Sequence, residues 1–127
     1  MNKAISLILT TALAVGMGIV LVGSSSGSDV SDGKNVEIRD GVQYITIDAK
    51  GGYWPKVSSA KAGIPTKLVV NTRGTYDCSA ALVIRSIGYE KILPETGSET
   101  IDLGMPKPGK FQGLCSMGMY NFIVNFE

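Results

Sequence analysis

The chain has 127 residues, which is room for one domain of ordinary size. Its 12 Lys and Arg residues against 11 Asp and Glu give a net charge of +1, so nucleic-acid binding, which normally needs a basic surplus, is not expected. The sequence contains no histidine. This excludes Ser-His-Asp and Cys-His catalysis, zinc sites that need histidine, and copper sites built on two imidazoles.

An uncharged apolar run lies close to the N-terminus, from Ala4 to Val22. As a helix it would span about 28 Å, close to the thickness of bilayer hydrocarbon. A cleaved signal peptide is the alternative, but its apolar region usually covers about 7–15 residues and ends in an alanine-rich small-residue site. Here the run ends in Gly-Ser-Ser. We therefore expect residues 1–22 to form a retained single-pass membrane anchor.

The segment 23–35 is rich in Gly and Ser and has nothing to bury, so it predicts a flexible linker. The folded domain is then expected over residues 36–127. Lys3 precedes the apolar run, whereas Lys34 and Arg39 follow it. Positive charges on both sides leave the orientation in the membrane undecided by the positive-inside rule.

The domain itself has the pattern of an all-β protein. Asp40-Gly41 lies between two runs with β character and is a strong two-residue hairpin signal. No window after residue 35 carries an apolar helical stripe of useful length, and Gly or Pro turns separate the short apolar runs. The pattern predicts a β-sandwich. The clearest predicted strands cover residues 36–39, 42–47, 66–71, 81–84 and 122–126.

Sulfur-containing side chains cluster near the C-terminus. Cys115, Met117 and Met119 fall at positions i, i+2 and i+4, where an extended segment or a loop bending at Gly118 brings them together. The other cysteine, Cys78, stands just before the predicted strand 81–84. Two thiolates and two thioethers without nitrogen form a soft ligand set that selects Cu(I), because zinc prefers four thiolate or imidazole ligands. If a metal binds here, Cu(I) is the best candidate.

Simpler interpretations of the same residues stay open. The two cysteines would form a structural disulfide if the chain is exported. Either Met117 or Met119, taken alone, would be interpreted as an ordinary core residue. Met105 is expected to be a core residue. Their clustering beside Cys115 favours the metal site.

Two further residues carry structural expectations. Trp54, which precedes Pro55, is expected to fill the core. Asp77, beside Cys78, is expected to cap a turn, with tuning of the neighbouring thiolate as the alternative.

Residues 44–127 resemble a cupredoxin. The likeness is carried by the segments 53–55 (Tyr-Trp-Pro), 62–65 (Ala-Gly-Ile-Pro) and 108–111 (Pro-Gly-Lys-Phe). In blue cupredoxins one ligand follows a mid-chain strand, and a Cys, a His and a Met follow in a C-terminal loop. Here Cys78 stands in the position of the first histidine and Cys115 keeps that of the cysteine, while Met117 and Met119 fill the remaining positions.

This Cys…Cys-x-Met-x-Met pattern behind an N-terminal membrane helix resembles the membrane-anchored Cu(I) chaperones of bacterial copper resistance, of the CupA type. The resemblance implies a Greek-key cupredoxin-like sandwich in which the two cysteines and two methionines hold a pair of Cu(I) ions. It also implies that the domain faces the cytoplasm and serves a copper-exporting P-type ATPase, at that pump's metal-binding domain or where copper enters its membrane part.

From this resemblance we expect a Cu(I) carrier that sequesters and delivers the ion without catalysis. Two alternatives belong to other classes. An exported, disulfide-locked β-sandwich would serve interactions in the cell envelope, and a cupredoxin electron carrier would cycle copper between two oxidation states. The absence of histidine argues against the electron carrier.

Overall fold

The structure, a computed structural model, describes residues 33–127. The expected membrane anchor and most of the expected linker lie outside these residues. Among residues 33–127 no helix is long and apolar enough to cross a membrane.

The described part of the chain is built almost entirely of β-strands, joined by turns and by two single-turn 3₁₀ segments. The strands are β1 (Val36–Arg39), β2 (Val42–Ala49), β3 (Tyr53–Trp54), β4 (Val57–Ala60), β5 (Thr66–Thr72), β6 (Ala81–Ile84), β7 (Tyr89–Ile92), β8 (Gly97–Gly104), β9 (Gly109–Cys115) and β10 (Asn121–Phe126).

These strands form two five-stranded sheets. One has the order β1-β2-β5-β8, with the short β3 also paired to β2, and the other has the order β4-β10-β9-β6-β7. The β2–β5 and β4–β10 pairs are parallel, and the remaining pairs are antiparallel. Buried side chains from both sheets pack into a single core. The all-β sandwich expected from the sequence is confirmed.

The β1–β2 hairpin forms where the sequence predicts it. Arg39 pairs with Val42, so Asp40 and Gly41 are the two turn residues. Their φ angles of 52° and 80° are both positive, as the primed turn that fits the twist of a hairpin requires.

Alternation along the strands supplies the core. In β2, β5 and β10 every second residue is buried, since successive strand side chains point to opposite faces. The aliphatic and aromatic members of this set are Ile45, Ile47, Ala49, Leu68, Val70, Phe122, Val124 and Phe126.

Two packing expectations are wrong. Tyr53 is fully buried and fills the core position expected for Trp54, which is only partly buried and donates its indole N–H to the Lys50 carbonyl at 3.3 Å. A two-residue strand presents its neighbouring side chains to opposite faces, so only one of them enters the core. Met105 is 64% exposed in the turn after β8 instead of packing inside.

The register of the sheets brings the chemically interesting segments to one end of the sandwich. The last residues of β2 and β5, Ala49 and Thr72, are partners, and β10 begins beside the end of β9. The segment after β5 leads to Cys78, while β9 ends at Cys115. We call this end, which also holds the turn joining β9 to β10, the sulfur end. Met105 lies at the opposite end, between β8 and β9.

Candidate metal centre

Cys115 is fixed by the sheet on both sides. It is the last residue of β9, pairs with Leu82 of β6, and is fully buried. Its backbone N–H donates to the Tyr120 carbonyl at 3.0 Å, and its carbonyl accepts the N–H of Gly118 at 2.8 Å. The N–H of Tyr120 in turn lies 3.5 Å from the sulfur of Cys115 and donates to it. The position of this sulfur is therefore set by the strand and by the loop that follows.

The two methionines of the motif lie on that loop. Residues 116–120 connect β9 to β10, and Gly118 has a φ of 72°, the left-handed conformation that a tight turn needs and glycine adopts without penalty. Met117 is 77% exposed and Met119 is 63% exposed. A core role for these two residues is wrong, because both thioethers face solvent beside Cys115.

Cys78 lies on the segment that joins β5 of one sheet to β6 of the other, and β6 is a neighbour of β9. It opens the single-turn 3₁₀ segment Cys78–Ala80 after β5, and it is partly buried against the core. Asp77 caps this turn, since its carboxylate accepts the backbone N–H of Ser79 at 2.8 Å and also the Ser79 hydroxyl. A second carboxylate oxygen accepts the N–H of Gly51 at 2.8 Å. The capping role expected for Asp77 is thus observed.

These hydrogen bonds also affect the charge beside Cys78. The bond from the Ser79 side chain is the main cause that holds the pKa of Asp77 below its usual range. An ionised carboxylate therefore sits next to the first cysteine and ties its turn to the β2–β3 turn.

A buried tyrosine, Tyr53, holds the Cys78 turn from the core side. The sequence does not predict this role for Tyr53. The hydroxyl of Tyr53 donates to the Ser79 carbonyl at 2.9 Å, inside the core. Burial is the larger cause that raises the pKa of Tyr53, and the charge of Asp77 raises it further. No local sequence signal links Tyr53 to Ser79, because the contact depends on how the two turns meet at the sulfur end.

The structure brings all four predicted site residues to the sulfur end. Cys78 and Cys115 are joined by a disulfide with their Cα atoms 5.7 Å apart, and Met117 and Met119 follow on the next loop. No group of three or more His, Cys, Asp or Glu side chains suited to a metal ion occurs within residues 33–127. The sulfur atoms of Cys78, Cys115, Met117 and Met119 are the soft donors at this end. Reduction of the disulfide yields the two thiolates that such a soft site needs.

A groove of about 390 Å³ begins at this loop and runs along β3, β4 and the start of β10. Its lining includes Met119 and Tyr120 as well as Trp54 and Lys56. The ammonium of Lys56 lies 4.8 Å from the centre of the Trp54 ring.

The fold and the sulfur end together define a cupredoxin-like domain. The sequence matches the family model described as a cupredoxin-like domain over residues 13–124, and the chain belongs to that family.

Two solved structures share the fold. The metal-binding domain of the Cu(I)-exporting P-type ATPase CopA from Streptococcus pneumoniae D39, determined with Cu(I), matches with a TM-score of 0.66 at 20% identity, over 72% of this chain and 92% of that one. A copper-binding protein solved by NMR in its apo form matches with a TM-score of 0.67 at 23% identity, over 75% of this chain and 97% of that one. No protein of curated function matches the sequence.

Proposed function

We propose that this protein binds Cu(I) through Cys78, Cys115, Met117 and Met119 and passes the ion to a copper exporter. One observation carries the proposal: the fold gathers these four side chains, distant in sequence by up to half the domain, at one end of the sandwich. The likeness of the fold to the metal-binding domain of a Cu(I)-exporting ATPase and to a copper-binding protein supports it.

The chemistry of the four sulfurs favours the monovalent ion. Thiolates and thioethers are soft donors that prefer Cu(I), and the chain has no imidazole to stabilise Cu(II). The reduced Cys78 and Cys115 thiolates neutralise the charge of the ion and form the tight position. The thioethers of Met117 and Met119, which are neutral, form with a shared cysteine sulfur a second, weaker position.

The exposure of the loop fits a carrier. Because Met117 and Met119 are largely exposed, an incoming ligand from a partner reaches the weaker position without unfolding any strand. Cu(I) then moves by ligand exchange, and the protein needs no catalytic group. The partner in this proposal is a copper-exporting P-type ATPase, at its metal-binding domain or at the point where copper enters its membrane part.

Tethering of the domain is part of the proposal. Residues 4–22 would anchor the chain in the cell membrane, and residues 23–32 would let the domain move about that anchor. Asn35, at the end of the expected linker, belongs to the domain, since its side-chain amide donates to the Thr46 carbonyl and to the Ser58 hydroxyl. A carrier confined to the same membrane as the exporter meets it at a raised effective concentration. The domain would face the cytoplasm, where thiol buffers keep Cys78 and Cys115 reduced.

Anaerobic Cu(I) titration of the full-length chain in mild detergent, against a chromophoric chelator, tests the binding. The reduced wild type should withdraw two copper ions from the chelator, the first more tightly than the second. Cys78→Ser or Cys115→Ser should abolish the tight position. The proposal fails if the reduced wild type cannot withdraw Cu(I) even from a weak chelator, one that competes only with nonspecific sites.

One observation favours a second candidate, an exported envelope domain locked by the Cys78–Cys115 disulfide. Disulfides persist in oxidising compartments and are rare in the cytoplasm. Protease added to intact spheroplasts distinguishes the two. A domain left whole supports the cytoplasmic carrier, whereas digestion together with an absence of free thiols in protein purified without reductant supports the envelope domain.

A further inference from the structure

The two sulfurs of the disulfide differ in how they meet solvent. Cys115 is completely buried, and its sulfur lies against the core from which β9 emerges. Cys78 is only partly buried, and its neighbours Tyr76 and Asp77 are exposed. A thiol attacking a disulfide must approach the sulfur it bonds to from the side opposite the other sulfur. The full burial of Cys115 obstructs that approach to its sulfur, whereas the partial exposure of Cys78 makes its sulfur the more accessible of the two.

The backbone elements that hold the two cysteines also differ, and Cys115 is again the more constrained residue. Cys115 belongs to a strand, and its pairing with β6 and its backbone bonds to Tyr120 and Gly118 do not involve its sulfur. Cys78 stands on a single 3₁₀ turn, which is held by the Asp77 cap, by the Tyr53 hydroxyl on the Ser79 carbonyl and by the Ala81 N–H on the Cys78 carbonyl. The buried sulfur of Cys115 already accepts the N–H of Tyr120 in the oxidised domain, so a donor is in place for the thiolate that forms there when the S–S bond breaks.

From this asymmetry we infer that Cys78 is a thiol-exchange site, attacked by a small thiol or a dithiol reductant, and that the exchange switches the metal centre on and off. The switching of the metal centre rests on the proposed function, because it requires that the reduced cysteines bind copper. The thiol exchange at Cys78 does not. Cys78 is the attacked sulfur, and Cys115 is the leaving and resolving sulfur.

The exchange balances in two steps. A reductant thiolate bonds to the sulfur of Cys78, the Cys78–Cys115 bond breaks, and Cys115 leaves as a thiolate that accepts the Tyr120 N–H. A second reductant thiol then attacks the mixed disulfide at the reductant's own sulfur, forming its oxidised disulfide and releasing Cys78. The protein gains two electrons and two protons, and two reductant thiols become one disulfide. In reverse, an oxidised thiol compound forms the adduct on Cys78, and Cys115 resolves it.

The disulfide form and the reduced form of the two cysteines differ in whether they can bind Cu(I) tightly. Sulfurs bonded to each other have no thiolate charge to offer Cu(I), so the oxidised domain keeps only the thioethers of Met117 and Met119. The reduced domain presents all four sulfurs. The thiol status of the surroundings therefore decides whether the tight position exists.

Trapping the mixed disulfide tests the site of attack. The oxidised full-length chain is treated with reduced glutathione, quenched in acid, alkylated and digested with trypsin. Cleavage at Arg85 and Lys110 separates the two cysteines, which are the only ones in the chain. Glutathione should be found on Cys78 and the alkyl group on Cys115, in excess of the reverse arrangement on the order of tenfold or more. Equal labelling, or adducts mainly on Cys115, would overturn the inference, as would a chain that oxidised glutathione fails to convert to the disulfide.

Single-cysteine variants give an independent measure. Cys115→Ser leaves Cys78, and Cys78→Ser leaves Cys115. With a maleimide, the folded Cys115→Ser variant should react on the order of tenfold faster than the folded Cys78→Ser variant, and the two rates should converge in denaturant. A variant that does not fold reveals itself by reacting equally fast with and without denaturant, and the trapping of the wild-type adduct then decides.

A copper measurement separates this inference from the proposed function. Cu(I) is offered to the reduced and the oxidised full-length chain under the same chelator competition. Tight binding to the reduced form alone supports both. Equal binding to both forms overturns the switch but leaves a copper protein. Exchange at Cys78 without tight binding to either form removes the copper function and the switch, and leaves only the thiol-exchange site.

Discussion

Gly113 lies directly beneath the ring of Phe122, so closely that a Cβ on Gly113 would come within 2.3 Å of two ring carbons. The two residues are partners across β9 and β10. The ring of Phe122 is fully buried and packs edge-on against Tyr53, with 5.1 Å between ring centres. Through Tyr53 this contact reaches the turn that carries Cys78, so the missing side chain on β9 makes room for the packing beneath the sulfur end.

Gly113→Ala should therefore destabilise the domain. No positive φ is involved at this position, so the cost comes from forcing Phe122 and its neighbours apart, about 1–3 kcal/mol for an overpacked core. Denaturant unfolding of the full-length chain measures it. Gln112→Ala on the same strand, at an exposed position, is the matched control and should change stability by less than about 0.5 kcal/mol. Equal stability of Gly113→Ala and wild type would contradict the tight contact.

Tyr53→Phe should loosen the Cys78 turn. The substitution keeps the ring but leaves the buried Ser79 carbonyl without the hydroxyl that bonds it at 2.9 Å, at a cost of about 1–3 kcal/mol. Tyr44→Phe is the control, because that ring stacks against Arg39 at the domain surface instead of supporting the site. Unfolding gives the energies, and maleimide reaction of Cys78 in a Cys115→Ser background reports the turn. An unchanged rate together with unchanged stability would show that the hydroxyl contributes nothing.

Local signals account for the parts of the fold that the sequence predicts well. Asp40-Gly41 determines a hairpin by its own backbone preference, and alternation in β2, β5 and β10 marks strands with one buried face. No such alternation predicts β7, since three of its four residues are exposed. Such a strand is defined by its pairing with β6, which is a tertiary property.

The candidate site divides in the same manner. The spacing of Cys115, Met117 and Met119 is local, so their proximity is predictable from sequence. The proximity of Cys78 to Cys115 follows there only from resemblance, because it depends on the pairing of β6 with β9, which places Leu82 opposite Cys115. The burial of Cys115 and the contribution of Tyr53 depend on register and on contacts across the core, and the sequence carries no sign of either.

The free energy of unfolding should decrease at alkaline pH because Tyr89 ionises there. Its hydroxyl donates to the carboxylate of Glu99 at 3.1 Å, and burial, together with this bond, raises the pKa of Tyr89 to about 12. Because the pKa is raised on folding from an ordinary value of 10.0, the contribution is complete below pH 10 and is lost as the pH rises to about 12. Tyr89→Phe should flatten the fall in unfolding free energy over this interval. A slope identical to that of the wild type would refute the assignment.

Cu(II) added to the reduced chain should produce no intense blue band. That absorption requires a thiolate and two imidazoles around the ion, and the chain contains no histidine. Instead, Cu(II) should be reduced by Cys78 and Cys115, which close into their disulfide, or should bind weakly with pale colour. Visible spectra recorded under nitrogen and then in air check this. A strong thiolate-to-copper band that persists in air would contradict a site specialised for Cu(I).

The exposed methionines should matter for copper and not for folding. Met117→Ala with Met119→Ala removes two side chains that are mostly in solvent, so stability should change by less than about 0.5 kcal/mol. The reduced variant should keep one tightly held Cu(I), because Cys78 and Cys115 remain, and should lose the second ion and its transfer to an acceptor. Chelator competition counts the ions, and transfer to a purified acceptor domain measures the rate.

Met105→Ala is the matched control for this double variant. Met105 is 64% exposed, close to the exposure of Met119, but it lies at the opposite end of the sandwich, after β8. Its loss removes a thioether of the same kind without touching the sulfur end, so two coppers and normal transfer should remain. If the double variant behaves like Met105→Ala, thioether sulfur contributes nothing to binding. The weaker position must then be built from the two cysteines alone.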